Sequence, residues 1–152
     1  MAEASDAFDG QVRAAVYDAI ITEGAVPTLA ATAAGLARPA AEVAAAFRRL
    51  AAGHVLVLQP ERDEILMASP FSAVPTAFAV EVDGLGGYWG NCVWDALGIL
   101  ALLGRDGRVL TSCGDCGAAL ALEVRGGALA SEASVAHFAI PAKQWWDDIA
   151  FT

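Results

Sequence analysis

The sequence predicts an α+β fold: a three-helix module with a β-hairpin, then a small mixed or antiparallel sheet with one helix carrying a Cys-x-x-Asp motif. Three observations point there. Apolar residues recur at helical spacing in segments before Gly53. Short alternating runs bounded by Gly and Pro fill the rest of the chain. Between those runs lies a single apolar stretch, Ala96 to Leu103.

In chain order, Phe8 to Glu23 reads as an amphipathic helix with Val12, Val16, Ala19 and Ile20 on one face and Gly24 as its stop. Thr28 can cap a second helix that Gly35 ends. Pro39 suits the first turn of a third, with Val43, Phe47 and Leu50 facing inward. Strands at His54–Leu58 and Glu64–Ala68 flank the polar turn Pro60-Glu61-Arg62-Asp63. Three helices and a hairpin make residues 1–70 winged-helix-like. Pro70 to Pro75 reads as a linker to a second unit at 76–152. There Ala77–Val82 reads as a strand, 83–87 as a flexible turn, and Cys92–Leu103 as a helix capped by Asn91 and closed by Gly104. Strands are expected at Arg108–Ser112, Ala118–Val124 and Val135–Ile140, and a last short helix after Pro141.

Composition narrows the function. The 152 residues are 57% hydrophobic and 18% charged, which excludes a disordered chain. The longest apolar run falls well short of the roughly 20 residues that span a bilayer. Nine Lys and Arg stand against 18 Asp and Glu, for a net charge of −9. Phosphate binding draws its affinity from clustered cations, and the largest cluster here is Arg48-Arg49. Nucleic acid and anionic membranes are therefore not expected as partners, and a winged-helix DNA regulator ranks last. Three cysteines cannot close a full disulfide framework, and Met1 to Gly10 has no apolar signal region. The expected compartment is the cytoplasm, where thiols stay reduced.

Two constellations could carry chemistry. Cys92 and Asp95 lie three apart at a helix start, hence on one face. The helix N-terminus favours a thiolate, and a carboxylate one turn away can hold or deliver a proton. Together they suit cleavage of a bond to a soft metal; a buried structural cysteine is the alternative. Cys113-Gly-Asp-Cys116-Gly sits between two strands, and its glycines let both sulfurs turn toward one ion, as in half a zinc site. Cys92, His54 and His137 are the remaining candidate ligands, and an inert tight turn is the bland alternative. Trp145-Trp146-Asp147-Asp148 reads as packing. Nucleotide and serine-hydrolase motifs are lacking.

The stretch Tyr88-Trp89-Gly90-Asn91-Cys92-Val93-Trp94-Asp95-Ala96-Leu97, then Ala101 to Arg105 and Arg108-Val109, resembles the alkylmercury lyase (organomercurial lyase, MerB) family. The likeness continues through Cys113, Val135 to Pro141 and Trp145 to Thr152. It implies protonolysis of a carbon–mercury bond without a required cofactor, with Hg(II) as product or ligand. Cys92 matches the first catalytic cysteine, and Asp95 the aspartate that protonates the leaving carbon and contacts mercury. Cys113 matches a non-catalytic family cysteine, and Cys116 lies outside the pattern. The family's second catalytic cysteine would come about where the sequence ends, so Cys113 or Cys116 could replace it only if their turn reaches Cys92. The metal-binding candidates are thus Cys92, Asp95, Cys113 and Cys116, with Zn(II) a further ligand. Trp89 and Trp94 are expected to wall an apolar substrate pocket. Expected partners are small organomercurials or other soft-metal species and small thiols. The alternative is a non-catalytic soft-metal-binding protein on the same scaffold.

Overall fold

The computed structural model describes residues 2–130 and 135–149. Helix α1 spans Ala2–Glu23, starting earlier than its apolar pattern because the preceding Ala and Glu residues are themselves helix formers. Val12, Val16 and Ile20 are its buried face. Gly24 ends it with φ +74°, its N–H returning to the Ile20 carbonyl at 2.9 Å. Helix α2 (Leu29–Gly35) is capped by Thr28, whose Oγ1 accepts from the Ala31 N–H at 3.1 Å. Helix α3 (Ala40–Ala52) buries Val43, Phe47 and Leu50, as its periodicity predicts. Arg49 grips Asp9 of α1 with both guanidinium arms at 2.6 and 2.8 Å, and Arg48 pairs with Asp63 of the hairpin turn. Both members of the largest cationic cluster are therefore held by carboxylates.

Strands β1 (Leu56–Leu58), β2 (Ile65–Ala68) and β3 (Phe71–Ser72) form an antiparallel sheet in that order. The second sheet holds β4 (Ala79–Val82), β5 (Gly86–Trp89), β6 (Gly107–Ser112), β7 (Ala119–Arg125) and β8 (Ala128–Leu129). Its order is β5-β4-β6-β7-β8, with every pairing antiparallel. Helix α4 (Val93–Leu103) buries Ala96, Ile99 and Leu100, and Gly104 caps it in the left-handed region. The molecule is thus α+β. One cluster of buried residues runs from Val12 to Leu122, so segments on both sides of residues 70–76 share a core.

Four sequence expectations change. Residues 70–75 are more than a linker: Phe71 is 1% exposed and contributes β3. Its ring lies 6.3 Å from Tyr17 of α1 and 5.4 Å from Tyr88 of β5, which joins the halves. The expected turn at 83–87 already enters β5 at Gly86, because Gly86 pairs with Val82. Val135–Ile140 forms no strand. It pairs with neither end strand of the five-stranded sheet, and Val135 is left 92% exposed, so no packing fixes it as extended pairing. The last helix is a single 3₁₀ segment, Ala142–Asp147. Ala150, Phe151 and Thr152, the end of the last family-like segment, lie outside the described residues.

Packing at Gly90 leaves no room for a side chain. A Cβ there would lie 2.7 Å from the Ala96 Cα and N, and 2.8 Å from its Cβ. Gly90 also bridges to Phe71, donates its N–H to Phe78 O at 3.0 Å, and accepts from Thr76 Oγ1 at 2.6 Å. It is fixed from three sides, so an added methyl would push the start of α4 away. Overpacking of this kind costs roughly 1–3 kcal/mol. Gly90→Ala should therefore lower the urea midpoint by a matching amount with little change in slope. An unchanged midpoint would show that the α4 start is free to shift.

Candidate active site

The α4 N-terminus lies between the two sheets. Cys92, not Asn91, is its N-cap, with φ −144° and ψ −177°. The expected cap fails because the Asn91 Oδ1 accepts from no helix N–H among the described residues, while its Nδ2 donates to Pro70 O at 3.3 Å. Cys92 O accepts the first helical bond, from the Ala96 N–H at 2.9 Å. Counting from Cys92, Asp95 is the third helical residue, the position whose side chain reaches back to an N-cap. The Cys92 thiol faces it, with Sγ 3.7 Å from Asp95 Oδ2. The backbone N–H of Cys92 also faces that carboxylate, and the N–H groups of Asp95 and Trp94 face the sulfur.

These groups line a cavity of about 400 Å³ with Asn91, Trp94, Met67, Ser69, Phe138, Trp145 and Trp146. Trp145 is held by an Nε1–H bond to Ile140 O at 2.9 Å and by the Phe138 ring at 5.3 Å. Trp146 stacks on His54 at 3.9 Å, the rings within 7° of parallel. The aromatic wall is therefore itself fixed from behind. Asn91 Oδ1 is buried with no partner among the described residues, leaving one free acceptor beside the pair.

The electrostatics reverse one expectation. The helix N-terminus favours the Cys92 thiolate, yet the thiol is pushed above the ordinary value. Burial is the main cause; the Asp95 charge adds to it, and the facing N–H groups only partly offset both. Favourable helix-end interactions amount to about 0.3–1 kcal/mol. That is less than one pKa unit, about 1.4 kcal/mol. The Asp95 carboxyl is raised too, chiefly by burial, against the lowering effects of the Asn91 side chain and the Cys92 thiol and N–H. Two half-buried groups thus sit within reach of one proton.

Of the residues singled out from sequence, the structure brings Cys92, Asp95 and Trp94 into one cavity, with Trp94 68% exposed at its mouth. Trp89 lies on β5, 37% exposed, and is not among the residues lining the cavity. Cys113 and Cys116 occupy the β6–β7 turn. There the N–H groups of Cys116 and Asp115, with the Cys116 thiol, hold the Cys113 thiol below its ordinary value. Among the described residues no three His, Cys, Asp or Glu gather closely enough to hold a metal ion. No helix among them is long and apolar enough to cross a membrane. Sequence reasoning did not place Met67, Ser69 or Phe138 at the site. Their only signal is tertiary, since they come from β2, the loop after it and an irregular segment.

The model of the alkylmercury lyase family matches residues 71–152. No curated protein matches the chain. Among solved structures, the mercury-bound form of MerB2 is similar in fold, with a TM-score of 0.61 and 20% identity. The alignment covers 80% of this chain and 59% of that one, so this chain spans less than two thirds of that relative's length.

The raised Cys92 thiol has a measurable sign. Alkylation needs the thiolate, so its rate should rise only above the pH at which an ordinary thiol responds. Asp95→Asn removes one cause of the elevation, and the profile should move to lower pH while staying above that of a free thiol. The pH dependence of iodoacetamide labelling, followed by mass spectrometry, reads this. A shift to higher pH would mean that Asp95 stabilises the thiolate instead.

Proposed function

Since the chain belongs to the alkylmercury lyase family, we propose that it cleaves the carbon–mercury bond of small organomercurials, with Cys92 as the mercury-binding group and Asp95 as the proton carrier. The observation that carries this reading is the 3.7 Å contact between Cys92 Sγ and Asp95 Oδ2 inside a cavity walled by tryptophans and phenylalanine.

The chemistry follows from the protonation states. A soft sulfur is the preferred ligand of mercury. When R–Hg⁺ meets the Cys92 thiol, an S–Hg bond replaces the S–H bond. The proton has a close acceptor in Asp95, whose raised carboxyl holds it at a higher pH than an exposed acid would. Asp95 then delivers that proton to the mercury-bound carbon. The carbon–mercury electron pair goes to the new C–H bond, R–H leaves, and Hg(II) remains on sulfur. The net proton comes from Cys92, and no oxidant or cofactor enters the balance. The aromatic walls exclude water and suit an apolar R group. Asn91 steadies the carboxylate.

A second reading, stoichiometric soft-metal binding without cleavage, is favoured by one observation. No third His, Cys, Asp or Glu among the described residues joins Cys92 and Asp95, so mercury would have a single thiolate there.

Benzene release from phenylmercury under excess small thiol separates the two. The parent protein should release benzene above the buffer rate. Cys92→Ser should abolish release. Asp95→Asn should keep mercury bound and lower turnover at least 100-fold, in line with loss of a general acid. Mercury binding by the parent without any release would replace cleavage by the binding reading.

A further inference from the structure

The Cys113–Cys116 turn has no role in the chemistry above, yet it is organised around its sulfurs. Strands β6 and β7 pair up to Ser112 with Ala119. The turn is then closed by the Cys113 N–H donating to Ala118 O at 2.8 Å and the Gly117 N–H to Cys113 O at 2.9 Å. The second bond spans four residues, as in one turn of α-helix, which puts side chains three apart on the same side. Those side chains are Cys113 and Cys116. Gly117 supplies the exit with φ +73°, and Gly114 meets open space. Both thiols are free, Cys113 half-buried and Cys116 exposed.

The backbone N–H groups of Asp115 and Cys116 face the Cys113 sulfur, and the Cys116 thiol faces it too. The turn thus presents two convergent sulfurs to solvent. What it lacks decides the ligand. Zinc wants four ligands in a closed site. No third His, Cys, Asp or Glu among the described residues completes a set. A cation satisfied by two thiolates in line has no such need, and mercury(II) is the soft, thiophilic example.

We infer that the Cys113–Cys116 turn is a second soft-metal site, which holds one Hg(II) ion as a two-coordinate bis-thiolate without help from Cys92. On binding, two S–H bonds are replaced by two S–Hg bonds, two protons pass to solvent, and no electron moves. The register places this turn at the same end of the five-stranded sheet as α4's start. Leu110 of β6 pairs with Ala79, which pairs on its other side with Trp89. Neither turn cysteine lines the cavity that holds Cys92 and Asp95, so the two sites are treated as separate. The inference needs no cleavage at Cys92.

The test uses the reduced Cys92→Ser protein, so that only the turn's thiols remain. It is titrated with Hg(II), desalted in a monothiol and analysed for mercury per chain. One ion per chain should be retained against roughly 100-fold excess monothiol, because the second thiol acts at a high effective concentration. Cys113→Ser or Cys116→Ser added to Cys92→Ser should each remove that retention. Alkylating the folded Cys92→Ser protein should do the same, without relying on a new variant folding. Zn(II) should be stripped by a weak chelator. Retention unchanged after loss of either thiol would overturn the assignment. So would no retention by the Cys92→Ser protein, or one tightly held zinc shared by two chains.

Discussion

The absence of a side chain at Gly90 is the constraint on which the candidate site depends. The first turn of α4 rests directly on this backbone, with Ala96 closer than any Cβ would permit. That contact sets the height of the helix start above the end of β5, and Cys92 and Asp95 sit within that first turn. Gly90 is itself pinned by Phe71, Phe78 and Thr76. The Cys92–Asp95 pair is therefore placed by a chain of short backbone contacts rather than by its own side chains. Ala96 on the other side of the contact is fully buried, so the helix cannot rise without opening the core.

With its position set, the pair's electrostatics follow from burial. A helix N-terminus attracts negative charge, and on an exposed helix it would lower a thiol's pKa. Here partial removal from water outweighs it for both the thiol and the carboxyl. In the proposed protonolysis, Cys92 is a soft ligand that arrives with its proton and Asp95 an acid able to keep that proton close. Protonolysis needs such a pair, since the bond to carbon must be replaced by a bond to hydrogen. The Cys113 thiol of the β6–β7 turn has the opposite balance: backbone N–H groups and the Cys116 thiol face it and hold it below its ordinary value. On the proposed readings, one chain pairs a half-buried cysteine with a proton carrier and a second pair of cysteines with a cation.

The cavity joins the two halves of the molecule. Met67 and Ser69 come from the hairpin side, Cys92 and Asp95 from α4, and Phe138, Trp145 and Trp146 from the last segment. Tyr17 O–H donates to Ser69 O at 2.7 Å and Tyr88 O–H to Ile21 O at 3.2 Å, so α1 is tied to both sheets around the site. His54, at the end of α3, backs Trp146. The N-terminal helices therefore hold the walls of the cavity, while Arg48 and Arg49 of α3 are taken up by internal ion pairs.

The sequence alone determined α1 to α4 and the strands β1, β2, β4, β6 and β7, because their apolar periods are local; the short β3, β5 and β8 were not legible in it. Val12, Val16 and Ile20 are buried as their spacing implies, and Thr28 caps α2. It also determined that Cys92 and Asp95 meet, since three residues on a helix share a face. It could not determine that Phe71 leaves a proline-flanked stretch to enter the core, or that Val135–Ile140 would find no strand to pair with. Alternation states that a segment can be a strand, whereas a free sheet edge decides whether it is one. Nor could it determine that Asn91 would be drawn to Pro70, that burial would outweigh the helix dipole at Cys92, or which tryptophans would wall the cavity. Each of those depends on residues brought together from distant parts of the chain. Only the tertiary structure sets the distance between them and how much water is left.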